Sequence, residues 1–227
     1  MSIDNYMPHA APSRFDLSLR INARRGLAIA IAFAVLIGAG LAPAAVRADS
    51  GPMDVTKAMV NRALQILANK SNPLPERRRE LRALVEQNFN FRTMSRSALG
   101  YNWRSLSPDQ RARFTELFTA FIEVAYLDKI QDYSGQRVQF VRERTTGAGY
   151  SEVDTNIVGG KSPIPVNYLL EQEDGSWKVY DVTVDAISII ANYRNQFSRV
   201  IQEKGFDQLL ADLQAKQKQL SSLLGEG

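Results

Sequence analysis

Residues 150–184 read YSEVDTNIVGGKSPIPVNYLLEQEDGSWKVYDVTV, and this stretch decides the fold. In its first nine residues Val153, Thr155 and Ile157 alternate with Glu152, Asp154 and Asn156, the period-two pattern of a half-buried strand. Gly159-Gly160-Lys161-Ser162-Pro163 then breaks the pattern. Ile164, Val166, Tyr168 and Leu170 share one side of a second strand over residues 164–171. Glu173-Asp174-Gly175 makes a turn, and residues 177–184 form a strand that is apolar on both faces. Upstream, residues 136–144 supply another candidate, separated from this stretch by the turn-rich segment 145–149. Four strands joined by links this short predict an antiparallel meander.

Helical periodicity flanks the sheet on both sides. Residues 55–69 place Val55, Met59, Ala63, Ile66 and Leu67 at helical spacing, and residues 76–88 do the same with Leu81, Leu84 and Val85. A short helix over 93–99 stops at Gly100. Ser107-Pro108-Asp109-Gln110 is a helix start, with Ser107 as cap, Pro108 in the first position and Gln110 closing a capping box. That helix is expected to run to about Tyr133 behind a stripe containing Phe114, Leu117, Phe118, Phe121, Ile122, Ala125 and Ile130. Helix resumes near Ile189 with Ile190, Tyr193, Phe197, Val200 and Ile201 in step, breaks at Gly205, and returns over 206–224. The whole is an α+β chain, a curved antiparallel sheet of about four strands packed against several helices.

The N-terminus has its own logic. A basic segment ends in Arg24-Arg25, residues 26–41 carry no charge, Pro43 interrupts, and Val46 and Ala48 set a small-residue site. This is the pattern of a cleavable export signal over residues 1–48, leaving residues 49–227 as one domain. The leader accounts for five of the 28 basic residues and two of the 24 acidic ones, so residues 49–227 carry 23 against 22, a net charge of +1. A large cationic field for nucleic acid is absent. The densest basic cluster, Arg77-Arg78-Arg79, is expected to be a solvated helix face, with a patch for a lipid headgroup or a partner as the alternative.

There is no cysteine, and the one histidine, His9, lies in the leader. The domain therefore has no disulfide, no Ser–His–Asp triad, no Cys–His nucleophile, no histidine general base and no ordinary zinc ligand set. Carboxylates remain as candidate acids and bases: Asp181 and Asp185 near a strand end, Glu152 and Asp154 on one strand face. Among 22 acids, the plainer expectation is that these four are solvated or paired with arginine and lysine.

Several segments resemble the MlaC family of periplasmic phospholipid-binding proteins, also called toluene-tolerance auxiliary proteins. They are Phe89-Asn90-Phe91 with Met94-Ser95, Ala98-Leu99-Gly100 with Trp103, Ser107 with Gln110, Phe114 with Phe118, and Tyr133-Ser134-Gly135. The resemblance is strongest in Trp177-Lys178-Val179-Tyr180-Asp181-Val182 and in Ser188 followed by residues 192–197, NYRNQF. It covers roughly residues 53–213. One departure is Ala186, where members of the family typically have glycine.

The resemblance implies an NTF2-like fold whose sheet and helices enclose an apolar cavity for phospholipid acyl chains. It implies a carrier in the periplasm, with no enzymatic activity and no cofactor. Its partners would be an outer-membrane lipoprotein–porin complex and an inner-membrane ABC transporter bearing an MCE-domain protein. Each buried CH₂ of a lipid chain contributes about 0.8 kcal/mol, so a hydrophobic slot with a mouth suffices for carriage. The inward-facing apolar residues expected to line it are Phe118, Ile122, Val153, Ile157, Val166, Tyr168, Leu170, Ile187 and Ile190, each of which also suits ordinary core packing. Tyr193 and Arg194 are expected at the mouth, with Arg194 positioned for a phosphate or paired with a helix neighbour. A periplasmic adaptor with a solid core, and a carboxylate-dependent hydrolase, are the alternative readings.

Overall fold

The computed structural model describes residues 51–127 and 133–224. The expected export signal over 1–48 and the last turn of the helix expected to reach Tyr133 lie outside the described residues. Among the described residues, three helices come first: α1 (Pro52–Ala68), α2 (Leu74–Asn88) and α3 (Phe91–Leu99). A 3₁₀ turn (Gly100–Ser105) leads to α4 (Pro108–Leu127). The sheet follows as β1 (Arg137–Gly147), β2 (Tyr150–Val158), β3 (Ile164–Glu173), β4 (Ser176–Val184) and β5 (Ile187–Ser188), and α5 (Ile189–Lys204) and α6 (Phe206–Leu224) close the chain.

The helices begin where their polar residues satisfy the free amides of a first turn. At α4 the capping box forms in both directions, Ser107 N donating to Gln110 Oε1 at 2.9 Å and Gln110 N to Ser107 Oγ at 3.2 Å. Asn90 caps α3, accepting from Thr93 N at 3.0 Å, and Ser188 caps α5, accepting from Ala191 N at 2.8 Å. Asn90 N also donates to Val179 O at 2.8 Å, so residues 89–90 are pinned to β4 before α3 begins.

The strands pair antiparallel in sequence order, as the meander pattern predicts, with a short fifth strand that the sequence pattern does not show. The register aligns Val153 with Tyr168 and Tyr168 with Val182, then Thr155 with Val166 and Val166 with Val184, making apolar rows across the inner face. A register shift opposite Leu169–Leu170 explains why β4 reads as apolar on both faces. Leu169 pairs with Asp181 and Leu170 with Val179, so Tyr180 is the extra residue of a bulge. The bulge changes parity: Val179 precedes it, Val182 and Val184 follow it, and all three are buried. The outer face is polar. Arg142 bonds Asp154 at 2.6 Å, while Arg144 reaches Asp154 at 3.2 Å and Glu152 at 2.9 Å.

One sequence expectation is corrected. Arg77 and Arg78 are buried, and only Arg79 of the triplet is exposed. Arg77 donates to Leu67 O in the last turn of α1 at 3.3 Å and to Asn72 O in the link that follows at 3.1 Å. Arg82 joins α2 to α4 through Glu123 at 3.3 Å. Glu123 is buried, and its pKa is pushed up to about 7 chiefly by that burial, against the pull of Arg82.

Two outcomes follow from this geometry. Asp185 and Ala186 occupy the two-residue loop between β4 and β5 with φ of 50° and 62°, the signature of a type I′ turn. Alanine is strained there, so Ala186→Gly should raise stability by about 1 kcal/mol, read as a higher urea midpoint at unchanged slope. Glu123 holds its proton more tightly folded than unfolded, so between about 4.5 and about 7 the folded state binds the extra proton and stability falls as pH rises. Urea midpoints across that window should fall more steeply for the native sequence than for Glu123→Gln.

Candidate functional site

Between the inner face of the sheet and the helices lies one continuous apolar layer. The helix α4 contributes Phe114, Phe118, Phe121 and Ile122, and α5 contributes Ile190, Tyr193 and Phe197. Their rings interlock. Phe118 meets Tyr193 edge-on at 5.7 Å and Phe197 edge-on at 5.5 Å, while Phe121 meets Tyr193 at 5.6 Å. Edge-to-face packing of this kind adds about 0.5–1.5 kcal/mol per pair beyond the area buried. The sheet supplies Val153, Ile157, Val166, Tyr168 and Leu170 from the opposite side.

Of the eleven residues proposed from sequence, the structure brings nine into this layer: Phe118, Ile122, Val153, Ile157, Val166, Tyr168, Leu170, Ile190 and Tyr193. All nine are at most 4% exposed, so in this state they close against neighbouring side chains. Tyr193 is thus an interior residue and stands at no mouth. Ile187 is 45% exposed on β5, outside the layer, because the I′ turn carries it to the sheet's edge. Arg194 is exposed, and its Nε donates to Ser97 O near the end of α3. The carbonyl of α3 takes the place of the helix-neighbour carboxylate expected for it. Its stem packs on Gly100, where an added Cβ would lie 3.3 Å from Arg194 Cδ.

Sequence reasoning missed Tyr126 in this layer, although it lies four residues beyond Ile122 on the same stripe. Its phenol meets that of Tyr193 at 3.3 Å with both rings buried. Burial holds both phenols neutral, raising Tyr193 to about 12 and Tyr126 well above its ordinary value. The pair satisfies two hydroxyls in a medium where an unbonded one is costly.

The second missed feature is the role of Asp181. Its carboxylate is buried, with Oδ1 accepting from Val182 N at 2.7 Å and Ile190 N at 3.2 Å, and Oδ2 from the Ser188 hydroxyl. Burial raises its pKa, and those three donors act in the opposite direction. Asp181 therefore binds β4 to the start of α5. Glu152 and Asp154 are paired with Arg142 and Arg144. For Asp154, hydrogen bonds from the two arginines outweigh burial and lower its pKa.

The fold is α+β, with helices laid over an antiparallel sheet and aromatic-rich apolar material between them. Residues 57–215 match the MlaC protein family, and this chain belongs to that family. It is 26% identical over 148 residues to the intermembrane phospholipid transport system binding protein MlaC of Haemophilus influenzae, covering 61% of this chain and 69% of that protein. It is 30% identical over 105 residues to the toluene tolerance protein ttg2D of Pseudomonas putida, covering 46% of this chain and 49% of that one. Among solved structures, a phospholipid-binding protein from Ralstonia solanacearum in complex with a phospholipid superposes with a TM-score of 0.64. It shares 23% identity, over 74% of this chain and 97% of that one.

Removal of the Asp181 carboxylate strands three buried donors. Asp181→Ala should cost about 2–3 kcal/mol, and Ser188→Ala, which removes one cap, about 1 kcal/mol. Chemical denaturation of the two variants checks the order.

Proposed function

We propose that this protein is a periplasmic carrier of phospholipid, holding acyl chains between the inner face of its sheet and helices α4 and α5. The observation that carries this reading is the apolar layer itself, drawn from three consecutive strands and two helices within a chain of the MlaC family. The phospholipid complex of the Ralstonia solanacearum protein supports it, since that fold covers nearly the whole of the solved chain.

Among the described residues the nine candidates are packed against their neighbours, so loading means parting the helices from the sheet. The energetics favour that exchange. A lipid chain replaces side-chain contacts with its own, and each CH₂ withdrawn from water contributes about 0.8 kcal/mol. Phe118, Ile122, Ile190 and Tyr193 would form the helical wall of the opened slot, and Val153, Ile157, Val166, Tyr168 and Leu170 the sheet wall. Ile187 and Arg194 stand outside it, Ile187 at the sheet edge and Arg194 bracing α5 against α3.

Carriage makes and breaks no bond, and the buried carboxylate Asp181 is engaged in structure. The donor and acceptor of the lipid would be the partners that the family resemblance implies: an outer-membrane lipoprotein–porin complex and an inner-membrane transporter with an MCE-domain protein. Export by the signal over residues 1–48 would place the chain between them.

Native mass spectrometry of the exported protein, followed by solvent extraction, tests the reading. Phospholipid at stoichiometric amounts is the expected result. A clean apo mass that takes up no lipid from vesicles would overturn it and favour the adaptor.

A further inference from the structure

A concavity is lined by none of the residues named for the apolar layer. It is a cleft of about 720 Å³ formed by the start of α3, the 3₁₀ turn, the first turns of α4 and the end of β3. That volume falls within the range of small-molecule sites, about 300–1,000 Å³. The cleft sits in the most basic part of the domain. Residues 91–113 hold five arginines against one acid, Asp109, although residues 49–227 are nearly neutral overall.

Two of those arginines, Arg92 and Arg96, face the cleft one helical turn apart, both exposed. Among the described residues, neither guanidinium has a hydrogen-bond or ion-pair partner. Their placement is costly for the helix: Arg92 is a cation in the first turn of α3, whose first turn contains no acid, and like charges at i, i+4 repel. Arg111, by contrast, is occupied. It donates to Trp103 O at 3.0 Å and Arg104 O at 3.2 Å, and its guanidinium lies 5.5 Å from the Trp103 ring centre. This holds Trp103 as an aromatic wall.

The opposite side carries carboxylates. Glu171 is buried and accepts from Asn90 Nδ2 at 2.8 Å, so it serves the capping residue of α3. Glu173, exposed at the end of β3, is the carboxylate left facing the cleft. A pair of uncommitted cations, an aromatic wall and one carboxylate together match a group bearing both a phosphate and an ammonium.

We propose that this cleft binds the polar head of a zwitterionic phospholipid, with its phosphodiester on Arg92 and Arg96 and its ammonium toward Glu173. The source of that head, a lipid being loaded or delivered, rests on the carrier reading above. Phosphodiester recognition alone would also fit a free phosphate ion, but Glu173 repels a bare anion and attracts the ammonium of the zwitterion. The arginines supply the charge-assisted hydrogen bonds that the helix lacks without a ligand.

Calorimetric titration of the exported protein with sn-glycero-3-phosphoethanolamine, and separately with inorganic phosphate, tests the inference. The soluble head should bind, and R92Q/R96Q should weaken it about tenfold or more. Glu173→Gln should weaken the soluble head while strengthening inorganic phosphate. The pair R199Q/K218Q, which removes two charges elsewhere on the surface, should leave both unchanged, and circular dichroism should report native folds throughout. Inorganic phosphate binding as tightly as the soluble head would overturn the lipid-head assignment. An equal loss in R199Q/K218Q would reduce the effect to general electrostatics and overturn it too. The two readings separate cleanly: protein that carries lipid yet binds no soluble head defeats the cleft alone, whereas protein without lipid defeats the carrier.

Discussion

A single buried carboxylate sets the relation between the sheet and the helix that covers it. Asp181 follows the bulged Tyr180 on β4, so its side chain is turned toward β5 and the first residues of α5. There it collects the Ser188 hydroxyl and the amides of Val182 and Ile190. Withdrawing a carboxylate from water is expensive, and only donors held in place offset that cost. Those donors belong to β4, to the residue that caps α5 and to α5 itself. Once they are satisfied, α5 leaves the sheet in the direction that puts Tyr193 and Phe197 against Phe118. The apolar layer follows from that direction.

The layer and the outer face of the sheet divide the chemistry between them. Inside, hydroxyls brought among the rings find partners there, Tyr126 with Tyr193 and Thr155 donating to Val166 O at 2.7 Å. Outside, Glu152, Asp154, Arg142 and Arg144 neutralise one another in a ladder, with Asn167 donating to Glu152 at 2.7 Å. The arginines reach out to solvent while the two carboxylates are largely covered. Their effect is on register, because slipping β2 by one residue would bring those charges into the apolar layer.

What the sequence disclosed and what it withheld have physical reasons. The period-two run of β2 and β3 located the inner face correctly, and nine of the eleven candidate residues came together because alternation is a local rule. The capping box at Ser107 and Gln110 was legible for the same reason. The bulge at Tyr180 was not, since it exists only relative to the partner strand, and without it β4 gives no clear face. Arg77 and Arg78 looked like a solvated run because charge normally seeks water. The carbonyls that bind Arg77, at Leu67 and Asn72, become neighbours only after α1 and α2 fold back on each other. Ile187 was assigned inward by its apolarity, whereas the tight I′ turn before it decides its side. Asp181 was legible as a candidate but not in its role, which depends on residues seven and nine positions away.

The order of the sheet has a consequence for how this chain reaches its native state. Every strand pairs with its neighbour in sequence, and three of the links are only two residues long. Closing such short loops costs little chain entropy, and topologies rich in local contacts fold fast. The meander can therefore assemble from the middle of the chain, without either end in place and, in a chain with no cysteine, without any oxidative step. The helices on both sides then have a finished surface to dock on. A folding nucleus of this kind needs nothing from either end of the chain.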